Sequence, residues 1–266
     1  MSMNEPARPI SPLLACCRDA ARAAGLHALR EKARRFEVHE KFSHDVKLQL
    51  DREAQKHAVE AIHRVYPGDP ILGEEWTVEG NGSGVEWIID PIDGTVNFFH
   101  GVPWWCSSVA VRVDGVVVAG AVYAPEVDHL YKASIESPAL CNGVVLKVAD
   151  TRRLADALLV TGSEKEMNPI DPPLATAQRL APHVQKVRIL GAAALDLCQI
   201  ALGAVDVFCQ SGLYIWDIAA AGLIIQQAGG SFEQRTTAIP GRYAVLAGGH
   251  QDLVDEVRAF MAADAV

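Results

Sequence analysis

The stretch Trp87-Ile88-Ile89-Asp90-Pro91-Ile92-Asp93-Gly94-Thr95 runs an apolar strand directly into two acids, a proline, a glycine and a threonine. Asp90 and Asp93 are expected to project from the strand's end, Pro91 to stiffen the turn, and Gly94 to let backbone approach a ligand closely. Turns select Asp, Pro and Gly for backbone reasons alone, so this segment by itself describes an ordinary turn. Two further acidic segments change that reading. Gly73-Glu74-Glu75 follows apolar Ile71-Leu72, and Trp216-Asp217-Ile218-Ala219-Ala220 begins an apolar helical run. Three carboxylate segments, each beside apolar sequence, predict one oxygen-lined pocket.

Outward from this centre, strand and helix patterns alternate. Ser11-Pro12 suits a helix start, and Leu13, Leu14, Cys17, Ala20, Ala21, Ala24 and Ala28 recur at helical spacing, a face that would cover a sheet. Asp45 to Asp51 alternates like a strand, then Ala54, Ala58, Val59 and Ile62 return to helical spacing before Pro67-Gly68. Glu79 to Gly84 reads as a flexible connector. Ser107–Val113, Asp114-Gly115 and Val116–Tyr123 read as a hairpin, because Asp-Gly suits a tight turn between β-rich runs. Beyond about Ala149 the pattern gives a strand at 157–160, a Pro-rich link through Pro173, a helix, and a strand at 187–190. A helix opened by Gly191, a strand at 205–208, a helix at 218–227 closed by Gly229-Gly230, and a last helix at 251–261 follow. The division predicted is residues 1–149, carrying most acids, and 150–266, carrying Asp217.

The chain has 266 residues, 50% of them hydrophobic and 21% charged, which is the composition of an ordinary globular protein. Its formal net charge of −9 opposes general nucleic-acid binding and attraction to anionic membranes. No apolar run approaches the roughly 20 residues needed to span a bilayer. Six cysteines lie scattered without C-x-x-C spacing, several in apolar stretches, which predicts reduced thiols and a cytoplasmic location. Trp104 and Trp105 read as core or interface anchors, and His44, His57, His63 and Lys41 as surface residues.

Four carboxylates without His or Cys partners favour a hard cation, Mg²⁺ by default with Mn²⁺ as a substitute. If Asp90 bridges two ions, Glu74 completes one shell and Asp93 and Asp217 the other, leaving positions for water and substrate. Such a pair supports in-line phosphoryl displacement. Asp217 also suits a helix N-cap, a role compatible with ligation. The Thr95 hydroxyl can pass a proton from a bound water towards Asp51, and backbone N–H groups at Gly94 and Thr95 can hold phosphate oxygens.

Together these segments resemble the inositol monophosphatase family of metal-dependent, lithium-sensitive phosphatases. The likeness is carried by Asp45–Asp51, Gly73-Glu74-Glu75, Asp90–Thr95 with Asn97-Phe98, Gly191 with Ala192-Ala193, and Trp216–Ala220. It implies an α/β (α+β) fold, a layered α/β/α/β/α sandwich with a mostly antiparallel N-terminal sheet and a smaller C-terminal α/β half, assembled as a homodimer. It implies that Glu74, Asp90 and the Ile92 carbonyl bind one metal, that Asp90, Asp93 and Asp217 bind a second, and that Glu74 takes a third, weaker ion. Thr95 and Asp51 resemble the pair that activates water, while Glu75 resembles a supporting residue. Gly94, Thr95, Gly191, Ala192, Ala193, Gln210 and Asp217 correspond to substrate-binding positions. Gln210 stands where an acid usually grips substrate hydroxyls, Ala192 where Ser or Thr is commoner, and Ala221 where Gly is usual.

The expectation is a Mg²⁺-dependent phosphomonoesterase acting on a small polyol or sugar phosphate, with inositol monophosphate as the default substrate. Fructose 1,6-bisphosphatase or 3′(2′),5′-bisphosphate nucleotidase activity is the alternative within the class. A noncatalytic regulatory protein on a phosphatase scaffold, acting through protein contacts, is the alternative of another class. A structural Ca²⁺ site is disfavoured, because no EF-hand loop is present and the acids come from distant segments.

Overall fold

The computed structural model describes residues 8–41, 46–80, 82–162 and 173–263. The first helix, α1 (Ile10–Arg30), is followed by β1 (Val38–Lys41), β2 (Val46–Leu48) and α2 (Gln49–Val65). An eight-stranded sheet is then built from β3 (Ile71–Gly73), β4 (Thr77–Val78), β5 (Val85–Asp93), β6 (Cys106–Val113), β7 (Val116–Ala124), β8 (His129–Ser134), β9 (Ser137–Cys141) and β10 (Val144–Val145). The short α3 (Thr95–His100) joins β5 to β6. A five-stranded sheet follows from β11 (Leu158–Val160), β12 (Lys186–Arg188), β13 (Val207–Leu213), β14 (Ser231–Thr236) and β15 (Tyr243–Gly248). Helices α4 (Pro173–Leu180), α5 (Ala193–Ala201), α6 (Ile215–Gln227) and α7 (Gln251–Ala263) complete the described chain.

Strand periodicity sets the layers. On β5, Trp87 and Ile89 join the core beneath α1 and α2, whereas Ile88 joins the core beneath α5 and α6. On β6, Val109 and Val111 face the first core and Ala110 the second, as a period of two requires. The smaller sheet repeats the logic: Phe208 and Ala247 face α5 and α6, and Val207, Cys209 and Leu246 face α7. The result is an α/β/α/β/α stack, with α1 and α2 outermost on one side and α4 and α7 on the other. The larger sheet is antiparallel except where β3 runs parallel to β5, and β11 is parallel to both its neighbours in the smaller sheet. The layered α+β architecture is the one implied by the sequence.

Several boundaries differ from the pattern reading. Only Val46–Leu48 of the 45–51 alternation is strand, because Asp51 accepts the Leu48 backbone N–H at 2.7 Å and closes the first turn of α2 from residue 49. Asp217 is likewise not an N-cap: it is the third residue of α6, accepting the Tyr214 N–H at 2.8 Å. Gly191, at φ +89°, turns the chain two residues before α5 begins. The strand expected at 187–190 spans Lys186–Arg188, and that expected at 205–208 extends to Leu213 by pairing with β15. The first helix starts at Ile10, just ahead of Ser11-Pro12. Asp45, His44, the side chain of Lys41 and most of the Pro-rich link lie outside the described residues.

The six cysteines are free and buried, and Trp105 is in the core, as expected. His57 is exposed, whereas half-buried His63 places Nε2 3.0 Å from the Asp69 carbonyl oxygen. No described helix is long and apolar enough to cross a membrane.

Two contacts hold the layers around the acidic strand end. Gly120 on β7 lies against α6, where an added Cβ would stand 2.8 Å from Ala220 Cα. Buried Asp196 on α5 accepts the Trp104 indole N–H at 2.6 Å, and burial pushes its carboxyl up to about 8. The Trp104 hydrogen bond and the backbone N–H groups of Ala192 and Gly191 only partly oppose that rise.

Replacing Gly120 with Val should cost about 1–3 kcal/mol, read as a lowered thermal midpoint, because α6 cannot retreat without opening the core. An unchanged midpoint would contradict the close approach. For Asp196 the folded chain keeps a proton that the unfolded chain releases near pH 3.8, so its contribution to stability falls as pH rises from about 4 to about 8. Asp196→Asn should therefore gain on wild type progressively as pH rises across that window. A difference independent of pH would refute the buried neutral acid.

Candidate metal centre

Strand β5 carries the key acids because its register leaves them no other place. Asp90 pairs with Ser108 and Asp93 with Cys106, so Pro91 and Ile92 together oppose Ser107 in a bulge. Proline fits there because a bulge does not need its missing N–H, and the Ser107 hydroxyl donates to the Pro91 carbonyl at 2.6 Å. The bulge turns Asp93 towards α5. Its Oδ1 accepts the Ala193 N–H at 3.0 Å, and its Oδ2 accepts those of Ala194 at 2.7 Å and Leu195 at 3.4 Å. The Cys106 thiol also donates to Oδ2, at 3.5 Å.

A carboxylate on the first turn of a helix satisfies amides that have no intrahelical partner and meets the positive end of the helix dipole. Burial nevertheless dominates and pushes the Asp93 carboxyl up to about 6, against the lowering by its N–H and thiol donors. Asp90 is in a harder position. It is 2% exposed, and its Oδ1 has no hydrogen-bond partner among the described residues. Burial, and then the charges of Glu74, Asp93, Asp217 and Asp51 in that order, raise its carboxyl well above the usual range.

The charges that act on Asp90 thus come from separate elements: Glu74 just after β3, Asp93 on β5, Asp51 on α2 and Asp217 on α6. Glu74 is held by its N–H to the Ile89 carbonyl at 3.1 Å, which ties the Gly-Glu-Glu step to β5. Among the described residues, no three Asp, Glu, His or Cys side chains converge as a finished metal shell. The donor chemistry fits a hard cation all the same: the grouped acids supply oxygen, and the buried Asp90 oxygen lacks a donor that a cation would replace.

The segment expected to touch substrate meets the same corner. An added Cβ on Gly94, whose φ is +89°, would lie 3.0 Å from Ala192 Cβ and 3.2 Å from the Gly191 carbonyl oxygen. Asn97 fastens this junction, donating through Nδ2 to the carbonyls of Trp104 and Leu190 at 2.8 Å each. Thr95 donates its hydroxyl to the Ile92 carbonyl at 2.9 Å, which leaves its oxygen lone pairs for another donor. Gln210 lies on β13 against Gly162, whose added Cβ would meet the Gln210 amide carbon at 2.2 Å.

From the sequence, Lys47, Cys106 and Asp196 have no part in this corner, and Trp104 is marked only as a core or interface anchor. Lys47 falls within the 45–51 alternation as one more strand residue, and its pairing with Glu75 at 3.3 Å needs the fold to be seen. Cys106 reads as one of six scattered thiols, and Asp196 falls in the helix after Gly191 with no role until Trp104 is seen to meet it.

The profile of the inositol monophosphatase family matches residues 10–257. The Nus factor SuhB of Pseudomonas aeruginosa is 36% identical over 91% of this chain and 90% of that protein. The inositol-1-monophosphatase of Mesorhizobium japonicum is 37% identical over 83% of this chain and 84% of its own length. A crystal structure of extragenic suppressor protein suhB from Bartonella henselae superposes with a TM-score of 0.86 at 29% identity, covering 96% of this chain and 100% of that one. The chain belongs to the inositol monophosphatase family.

Proposed function

We propose that this phosphomonoesterase hydrolyses the phosphate of a small polyol or sugar, with inositol monophosphate as the first candidate, using Mg²⁺ held by Glu74, Asp90, Asp93, Asp217 and the Ile92 carbonyl. The observation that carries the reading is the buried, unpartnered Asp90 oxygen among four other acids. Bound there, divalent cations lower the pKa of a water and neutralise phosphate charge.

This chain's residues supply the rest. The Thr95 hydroxyl, which donates to the Ile92 carbonyl, has lone pairs left to accept a hydrogen bond from the attacking water and so orients it; passing that proton on requires the hydroxyl to turn its own hydrogen from Ile92 to Asp51. Asp51, fixed at the start of α2, is the proton acceptor of that pair. Backbone groups at Gly94 and Thr95 hold the phosphate, and the Gly191–Ala193 segment with Gln210 meets the leaving group. Gln210 offers both a donor and an acceptor but no charge, so selection among polyols rests on hydrogen-bond geometry. Mn²⁺ in place of Mg²⁺, lithium sensitivity, a homodimer and a cytoplasmic location belong to the same reading. Six buried thiols suit a reducing compartment.

The relatives named Nus factor SuhB support a second reading, in which the scaffold also acts through protein contacts. The two separate cleanly, because a protein-contact role survives loss of Asp93 chemistry.

Inorganic phosphate release should appear with Mg²⁺ on at least one of inositol monophosphate, fructose 1,6-bisphosphate and 3′-phosphoadenosine 5′-phosphate. Asp93→Asn should lower kcat about a hundredfold or more, as loss of a charge-stabilising group does. Absence of turnover on all three compounds with either Mg²⁺ or Mn²⁺ would defeat the enzymatic reading. In metal-free protein, Asp90→Asn should raise the thermal midpoint, and by more at pH 8 than at pH 5. The reason is that a raised carboxyl loses its contribution to stability as pH climbs above its unfolded value. Saturating Mg²⁺ should then stabilise wild type more than the variant, and equal stabilisation of both would remove Asp90 from the ligand set.

A further inference from the structure

Fully buried Gln55 of α2 lies against the Gly73-Glu74-Glu75 step. Its Oε1 accepts the Glu75 backbone N–H at 2.9 Å, and its Nε2 donates to the Trp76 carbonyl at 2.8 Å. One amide thus satisfies a donor and an acceptor of the chain just beyond Glu74, where β3 has ended. The same amide presses on Gly73, where an added Cβ would stand 2.3 Å from Nε2 and 2.5 Å from the amide carbon. Gly73 is not one of the glycines at positive φ, so this close contact, and not a left-handed turn, is what excludes a side chain.

The step is also registered on β5. Strand β3 runs parallel to β5 with Gly73 beside Ile89, and the Glu74 N–H donates to the Ile89 carbonyl at 3.1 Å. Glu74 therefore leaves the sheet level with Asp90, the residue after Ile89. Glu75 is engaged elsewhere, its carboxylate 3.3 Å from the Lys47 ammonium. Among the charges that act on Asp90, that of Glu74 is the largest. The backbone of Glu74 is thus fixed on one side by β5 and on the other by a helix side chain.

We propose that Gln55 is a positioning residue for Glu74: its amide locks the chain after β3 so that the Glu74 carboxylate is held towards Asp90, as a ligand to the ion these two acids share. The proposal rests on the metal-dependent reading above. A ligand on a long side chain is placed no better than the backbone that carries it, and here that backbone has left the ladder of strand hydrogen bonds. Gln suits the task because its amide carries a donor and an acceptor together, with no charge to add to the acids nearby. Groups that orient a metal ligand from behind carry about ten- to a hundredfold of metal affinity.

Mn²⁺ uptake by metal-stripped full-length protein, counted by electron paramagnetic resonance, tests this. Gln55→Met keeps the length of the side chain and loses both hydrogen bonds. It should weaken one bound ion about ten- to a hundredfold and leave the other at wild-type affinity. Gln55→Glu should bind both as wild type does, because a carboxyl buried among acids keeps its proton, and with it one donor and one acceptor. In turnover, Gln55→Met should lower kcat at limiting Mg²⁺ and recover it at high Mg²⁺, with KM for substrate unchanged. Circular dichroism checks the fold, and Gly73→Ala, which drives the amide from its place, gives the same comparison should the Met variant unfold. Wild-type affinity for both ions in the Met and Ala variants, or equal weakening of both ions, would overturn the role of Gln55. So would a Glu variant as weak as the Met variant. If the Met and Ala variants match wild type while Asp93→Asn loses Mn²⁺, the metal-dependent reading stands and only the Gln55 proposal fails. No Mn²⁺ uptake by wild type would overturn both.

Discussion

Everything at this corner follows from a carboxylate that cannot move away from other carboxylates. Asp90 sits in the interior strand β5, flanked by β3 and β6, with Ile88 and Ile89 committed to opposite cores. Shifting the strand by one residue would exchange those faces, so register fixes the acid where burial and four neighbouring charges oppose its ionisation. Relief must then come from a proton or a cation. A site that cannot relax is also one in which a bound cation finds its ligands already placed, with little ordering left to do.

The same constraint explains why α5 begins where it does. Asp93 places both carboxylate oxygens on the first three amides of the helix, which ties the end of one sheet to the helix layer between the sheets. Gly94 then requires a left-handed turn, and its close approach to Ala192 and Gly191 packs the Asp-Gly-Thr turn on the loop leading to that helix. Asn97 and the Trp104–Asp196 bond repeat the connection a few residues away. Chemistry and inter-layer packing therefore share residues. A change at Asp93 thus touches the packing of α5 on β5 as well as any chemistry the acid takes part in.

The grouping of acids was legible in the letters because the Asp-Pro-Ile-Asp-Gly turn, ordinary alone, is joined by two further acidic segments beside apolar sequence. The hairpin of β6 and β7 and the helical stripe of α1 were also plain, as each rests on local periodicity. What escaped was set by partners far along the chain. β14 owes its pairing with β15 to sheet context, and its half-exposed Ser231–Thr236 shows no clean alternation. The lengths of β2 and β13 depended on capping by Asp51 and on cross-strand bonds with β15. Lys47 could not be told from a solvated lysine until Glu75 came back across 28 residues to meet it.

Membership in a family whose relatives bear both phosphatase and Nus-factor names leaves two ways to use one scaffold. A surface that only docks a partner has no need for acids buried beside one another, and such a cluster opposes folding unless something neutralises it. Asp90 could be exchanged for an apolar residue of similar size with a gain in stability, since a buried acid without a donor is costlier than none. The chain instead keeps Asp90, its bulge, the Asp93–α5 contact and a lysine set against the Glu74–Glu75 step. Buried Asp90 is the costly member of this set, and under the proposed function its cost is offset when a cation enters. That dependence is why the buried charge at the end of β5 argues for catalysis more strongly than any surface feature argues for docking alone.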